Sequence, residues 1–251
     1  MKAGMKGLGE LAKVEFRLNL RDPMMVFWSF AFPALWFVLM AAVIPGPIPG
    51  FEYHGLNSAS LYFPAAISLV MVSASFIGLP MTLAGYRETG VLRRLRVTPV
   101  RVWTLALGLS ASQFAFVLVG TLLLGVVGIA FMGVRVQGSI AAFVGVFLFG
   151  MVTFFALGGA VGSIAGSFRS ASIISWIMFL PMIFLSELFI PLSQLPGWLR
   201  PVARAMPLTP VNTMLRDIVY GAPLADLWRL GVIGGWLLAS VLITLRFFRW
   251  E

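Results

Sequence analysis

The chain has no cysteine, one histidine (His54), and only three lysines, Lys2, Lys6 and Lys13. Without cysteine there is no disulfide and no thiolate metal site. A single histidine leaves neither a histidine metal cluster nor a catalytic dyad. The placement of the lysines excludes a Gly-x-x-x-x-Gly-Lys-Ser/Thr phosphate loop, so nucleotide is not cradled here in that manner. His-Glu-x-x-His and Gly-x-Ser-x-Gly are absent too, and no hydrolytic machinery is visible. Charge is scarce: 11% of residues are charged, against about 25% in a soluble domain. The net charge of +9 would suit nucleic acid, but the basic residues sit beside apolar runs, so no nucleic-acid role is expected.

What is abundant is apolar surface, at 60% hydrophobic residues with a mean hydropathy of +0.97. The 26 glycines and 15 prolines are tolerated in membrane helices better than in soluble ones. A bilayer core needs about 20 apolar residues per helix. Six runs qualify: residues 24–44, 60–84, 102–131, 140–167, 172–190 and 227–245. The expected fold is an all-α membrane protein forming a single transmembrane domain over residues 1–251. The first run is too long for a cleaved signal peptide. With both termini inside, thirteen Lys and Arg lie on the inner side and five on the outer, which together make the 18 in the chain. That bias predicts cytoplasmic termini. Residues 1–22 read as a helix in the inner interface, with Leu8, Leu11, Val14 or Glu15, and Leu18 at helical spacing. A disordered basic leader is the alternative. Asp22-Pro23 would cap and start the first span.

Residues 86–99 form a charged island between two apolar runs, longer than a simple turn requires. One acid leads and four arginines are interleaved with leucine and valine. Read as a helix, Glu88 lies near its start, favourably for the dipole. Leu92 and Leu95 share a face, and Pro99 ends it. Arg93, Arg94 and Arg96 reach acidic groups or phospholipid headgroups. The island therefore suits docking to a cytoplasmic partner; anchoring on anionic lipid is the alternative.

Toward the outer side, Glu187 is an acid within a span. It requires a partner, a wet cavity or protonation. Arg200, Arg204 and Arg216 are the candidates for an ion pair, and a place on a substrate path is the other reading. Residues 191–226 read as two proline-started helices. One begins at Pro196, and the other at Pro210 with Val211, Met214, Leu215, Ile218 and Val219 as its apolar stripe. They dip into the outer leaflet as a re-entrant cap, or lie flat on it. Gly158, Gly162 and Gly166 on the fourth span, and Gly231, Gly235 and Ala239 on the sixth, have the spacing that lets helices approach closely.

Three stretches together resemble the ABC-2 type permease subunits of bacterial ATP-binding-cassette exporters, in particular those for drugs and antibiotics. They are Arg21-Asp22-Pro23 with Phe32-Pro33, the island from Arg87 to Val100, and the segment from Phe189 to Leu199 with Pro207-Leu208-Thr209-Pro210 and Arg216. The resemblance implies that residues 86–99 are a coupling helix seated on an ATPase, through Arg87, Glu88, Gly90, Leu92, Arg93, Leu95, Thr98 and Pro99. It implies a substrate pathway or outer gate near Glu187, Phe189, Pro191 and Arg216. Two cytoplasmic ATPase subunits would bind ATP and Mg, this chain binding no cofactor. A second permease subunit, identical or related, would complete the assembly in the bacterial inner membrane among its lipids. The implied activity is export of a hydrophobic or amphipathic drug, antibiotic, lipid or lipid-linked glycan. A self-sufficient secondary transporter or channel would need ionisable residues deep in its spans, and only Glu187 comes close. A membrane anchor for a signalling or assembly complex is a third reading. One departure stands out: the family often has glycine where this chain has Glu187.

Overall fold

The computed structural model describes residues 2–43, 57–91, 102–223 and 226–247. Among them there is helix and no strand, and six helices are long and apolar enough to cross a membrane. Helix α1 (Lys2–Arg21) leads into α2 (Pro23–Val43). The junction is made by Asp22, whose carboxylate accepts from the backbone N–H of Met24 at 2.9 Å and of Met25 at 3.3 Å. Pro23 occupies the first turn, where its missing N–H costs nothing. Helix α3 (Ser58–Glu88) is capped by Asn57, which accepts from Ser60 N at 3.0 Å. Helix α4 (Val102–Val126) continues through a π turn over Val127–Phe131. Ser139 caps α5 (Ile140–Ile164), and Ser167 with Ser170 forms a reciprocal capping box for α6 (Phe168–Leu185). Two short helices, α7 (Leu199–Ala205) and α8 (Leu208–Val219), precede α9 (Leu227–Phe247).

Helix α3 is the centre of the bundle. Its most apolar window is 89% buried, whereas no other span exceeds 39%. It is apolar on all sides, and that pattern belongs to an element surrounded by others. The α2, α4, α5, α6 and α8 helices all pack on it, and α9 lies along α5. Gly158 and Gly162 supply part of the seam between α3 and α5. A Cβ on Gly158 would sit 2.3 Å from the Ser75 carbonyl oxygen, and one on Gly162 would sit 2.9 Å from Leu83 Cδ1. Gly166 does not join that seam. It lies beyond the end of α5, with open space around it. Gly231 and Gly235 also face open space, and α9 turns Ile233 and Ser240 inward instead.

Helix α1 presents an unexpected face to the protein. Glu15 and Asn19 are buried, while Val14 and Leu18 are each 50% exposed. Asn19 Nδ2 donates to Ser112 Oγ at 3.4 Å, Phe16 meets Phe116 edge-on at 5.6 Å, and Gly108 admits Leu11. The polar side is satisfied against α4 and α3. The leucine and valine side, flanked by Lys13 and Arg17, is left for an apolar environment. The Tyr86 hydroxyl donates to the Glu15 carboxylate.

Burial holds the Glu15 carboxyl above the usual carboxylate range, opposed in part by the Tyr86 hydrogen bond. Its folded-state pKa thus exceeds the unfolded one. The associated stability is complete below the unfolded value and declines as pH rises toward the folded one. Glu15→Gln keeps the acceptor and removes the titration. The melting temperature of the variant relative to wild type is therefore expected to rise as pH increases above the ordinary carboxylate range, about pH 4. A difference that is flat with pH would show that Glu15 carries no such burden.

Candidate functional site

At the end of α3 next to the island, the last turn carries two oppositely charged side chains to two helix ends. The half-buried Arg87 donates to the carbonyls of Gly162, at 3.3 Å, and Ala165, at the C-terminus of α5. Glu88 accepts from the backbone N–H of Phe168 at 2.9 Å, at the N-terminus of α6. A cation at a helix C-terminus and an anion at an N-terminus both meet a favourable dipole. The pair thus clamps the α5–α6 junction to α3. Gly90 has φ +74°, and its N–H bonds to the Arg87 carbonyl, the left-handed turn that ends a helix. Thr89 caps back to the Gly85 carbonyl at 2.8 Å.

This corrects the expected position of Glu88. It closes α3 rather than opening a separate helix, and the dipole it meets belongs to α6. The sequence does carry a signal for this arrangement, since the Ser-x-x-Ser capping pattern from Ser167 marks where α6 starts. What it does not carry is the proximity of α3 to that point. Leu92, Arg93, Leu95, Thr98 and Pro99 lie outside the described residues.

At the opposite end of α6, Glu187 has φ 61°, the left-handed region in a residue other than glycine. Its carboxylate accepts from Arg216, on α8, and from the backbone N–H of Leu192 at 3.1 Å. Of the three candidate arginines the partner is Arg216. Arg200 instead donates to the carbonyls of Leu195 and Ser193, at 2.9 and 2.8 Å. One turn before Arg216, Asn212 donates to the Ser186 carbonyl at 2.9 Å. Two residues on one face of α8 therefore fix the left-handed turn. Helix α8 can do this because it is inserted between α3 and α5, with Val211, Met214, Leu215, Ile218 and Val219 all buried. It begins at Leu208 rather than Pro210, which falls within its first turn. Helix α7 is more superficial, and Trp198 before it is 75% exposed.

The Glu187–Arg216 pair borders two clefts. The larger, about 660 Å³, lies among α7, α8 and the start of α9; the smaller, about 200 Å³, is bounded by Leu61, Tyr62, Phe189 and Pro191. Phe189 stacks on Phe184 at 5.2 Å and meets Trp36 edge-on at 5.5 Å, which holds the chain after Glu187 against α2. A second ionic cluster, not expected from the sequence, has Arg229 bonded to Asp217 and, at 2.7 Å, to Asp226. The i,i+3 spacing of Asp226 and Arg229 was the one readable hint. Among the described residues no group of His, Asp or Glu is arranged to hold a metal ion.

Comparison with known proteins bears on the family. Residues 7–220 match the family described as ABC-2 type transporter. The chain is 28% identical over 172 residues to the daunorubicin resistance ABC transporter permease protein DrrB1 of Streptomyces coeruleorubidus, covering 64% of this chain and 58% of that one. It is 26% identical over 207 residues to nodulation protein J of Rhizobium meliloti, covering 82% of this chain and 74% of that one. The match thus spans somewhat over half the length of the daunorubicin-resistance relative.

Proposed function

We propose, on the premise that this chain belongs to the ABC-2 type transporter family, that it is the permease half of an ATP-driven exporter. It is a multi-pass membrane subunit of a transporter, and the family implies association with an ABC ATPase. In the proposed assembly two ATPase subunits bind ATP and Mg on the cytoplasmic side, and a second permease, identical or related, completes the path. Both termini face the cytoplasm of a bacterial cell. The substrate is hydrophobic or amphipathic, a reading supported by the drug-resistance name of one relative.

The observation that carries the reading is the clamp at the end of α3. Arg87 and Glu88 tie the helix that leads into the island to the ends of α5 and α6. Motion delivered to the island would therefore reach three spans together rather than bending one loop. Helix α3 is also the central element of the bundle, so a displacement there is felt by most of the others.

The test is the double variant Leu92→Asp with Leu95→Asp. Each carboxylate placed in an apolar contact costs about 2 kcal/mol or more, and about 1.4 kcal/mol is a tenfold loss of affinity. The variant is expected to remain folded in the membrane and to lose its ATPase during co-purification. Stoichiometric retention of the ATPase would show that this face does not dock it.

A further inference from the structure

Among the described residues, one ionic side chain of the larger outer cleft pairs with no carboxylate. Its lining includes Glu187, Arg204, Arg216, Asp226 and Arg229. Glu187 is engaged by Arg216, and Asp226 by Arg229, which also holds Asp217. Among the described residues, no carboxylate pairs with Arg204, which is exposed on α7. Its guanidinium is open to an external anion, in a cleft whose Arg229 is shared by Asp217 and Asp226.

The rest of the lining says what kind of anion fits. Pro201, Ala205, Leu192, Val232 and Trp228 give the cleft apolar walls, and Trp228 is 46% exposed. Trp198, just before α7, and Leu227, at the start of α9, are 75% and 76% exposed. Exposed tryptophans on adjoining helix ends mark the headgroup level of a bilayer. A small soluble anion would use only Arg204 and leave these walls wet. An amphiphile would place its charge on Arg204 and its apolar part along Trp228 and Val232. The volume, about 660 Å³, is that of an ordinary small-molecule site.

We propose that this cleft binds the phosphate headgroup of an anionic amphiphile entering sideways from the outer leaflet, with Arg204 as the anion-binding residue and Trp228 as the apolar support. The site is independent of ATPase docking, because no residue of the island contributes to it. It assigns a recognisable chemistry to the outer side of the chain, namely one phosphate charge next to an acyl or ring system.

The purified, delipidated full-length chain is titrated with phosphatidylglycerol or phosphatidylcholine, and bound lipid is counted by native mass spectrometry. Wild type is expected to favour phosphatidylglycerol. Arg204→Gln is expected to weaken it about five- to tenfold without changing the melting temperature, since among the described residues no carboxylate pairs with this exposed side chain. Trp228→Ala should also weaken it, although it leaves the charge untouched. Arg135→Gln removes the same charge from an exposed loop outside the cleft and is expected to have no effect. Equal binding by Arg204→Gln and wild type would overturn the site, as would an equal loss in Arg135→Gln, which would indicate general attraction to a basic protein. Displacement of phosphatidylglycerol by an equal concentration of glycerol phosphate would overturn the amphiphile, by showing that the head alone supplies the affinity.

Discussion

Arg87→Met is expected to lower the melting temperature of the purified protein by roughly 3–12 °C. The guanidinium donates to two carbonyls at the end of α5, Gly162 and Ala165. Hydrogen bonds from a charged group contribute about 1.5–3 kcal/mol, and in a chain of this size each kcal/mol moves the transition by about 2–4 °C. Methionine keeps the apolar stem and removes only the donors and the charge. Arg87→Lys retains a charge near the α5 terminus and should recover part of the loss. Glu88→Gln should cost far less, because Glu88 is exposed and glutamine keeps an oxygen that can accept from Phe168 N. The measurement is the thermal unfolding of all three variants in one detergent. Melting curves that superimpose for Arg87→Met and wild type would dispose of the clamp.

The second large effect is expected at Glu187, where charge and backbone conformation act in opposite directions. The Glu187 and Arg216 side chains are only 8% and 16% exposed. Removing one member of a fully buried pair costs about 3–5 kcal/mol, and the clefts on either side should reduce this to about 2–3 kcal/mol. The left-handed backbone at φ 61° costs a residue with a Cβ about 1–2 kcal/mol relative to glycine. Glu187→Ala therefore loses the pair and keeps the strain, whereas Glu187→Gly loses the pair and relieves it. Glycine is expected to be the milder substitution by about 1 kcal/mol, despite the greater freedom it gives the unfolded chain. Adding Arg216→Met to Glu187→Gly should recover stability, because no cation is then left uncompensated. Glu187→Gln should destabilise while leaving ATPase turnover per folded complex near wild type. If alanine proved as mild as glycine, the backbone would carry no strain. Full stability of Glu187→Gln with altered turnover would move the residue from structure to the transport path.

The same position explains a departure visible in the sequence. A family resembling this chain often has glycine there, and the chain has glutamate. The left-handed turn is the property that glycine would supply for free, and here Arg216 and Asn212 on α8 enforce it from outside. The need for a partner could be read from an acid in an apolar run. Which of three arginines supplied it could not, because that depends on the insertion of α8 between α3 and α5.

Hydropathy alone identified six spans and an all-helical membrane protein, and local capping chemistry at Asp22-Pro23 placed the start of the first. These are short-range properties: run length against bilayer thickness, and side chains bonding to their own backbone a few residues away. The tertiary structure decided which side of each helix is inside. On α1 it turned Glu15 and Asn19 inward and left Leu18 out, because α4 and Tyr86 offered partners that the pattern of leucines could not announce. Along α5 it used Gly158 and Gly162 and passed over Gly166, because the helix ends before it. At the end of α3 it made Glu88 serve α6, a helix starting 80 positions later. In an apolar solvent a helix gains little from turning one apolar face inward rather than another. The choice falls to close backbone approach and to the few polar groups that must find each other, and these are properties of pairs of helices rather than of any one segment.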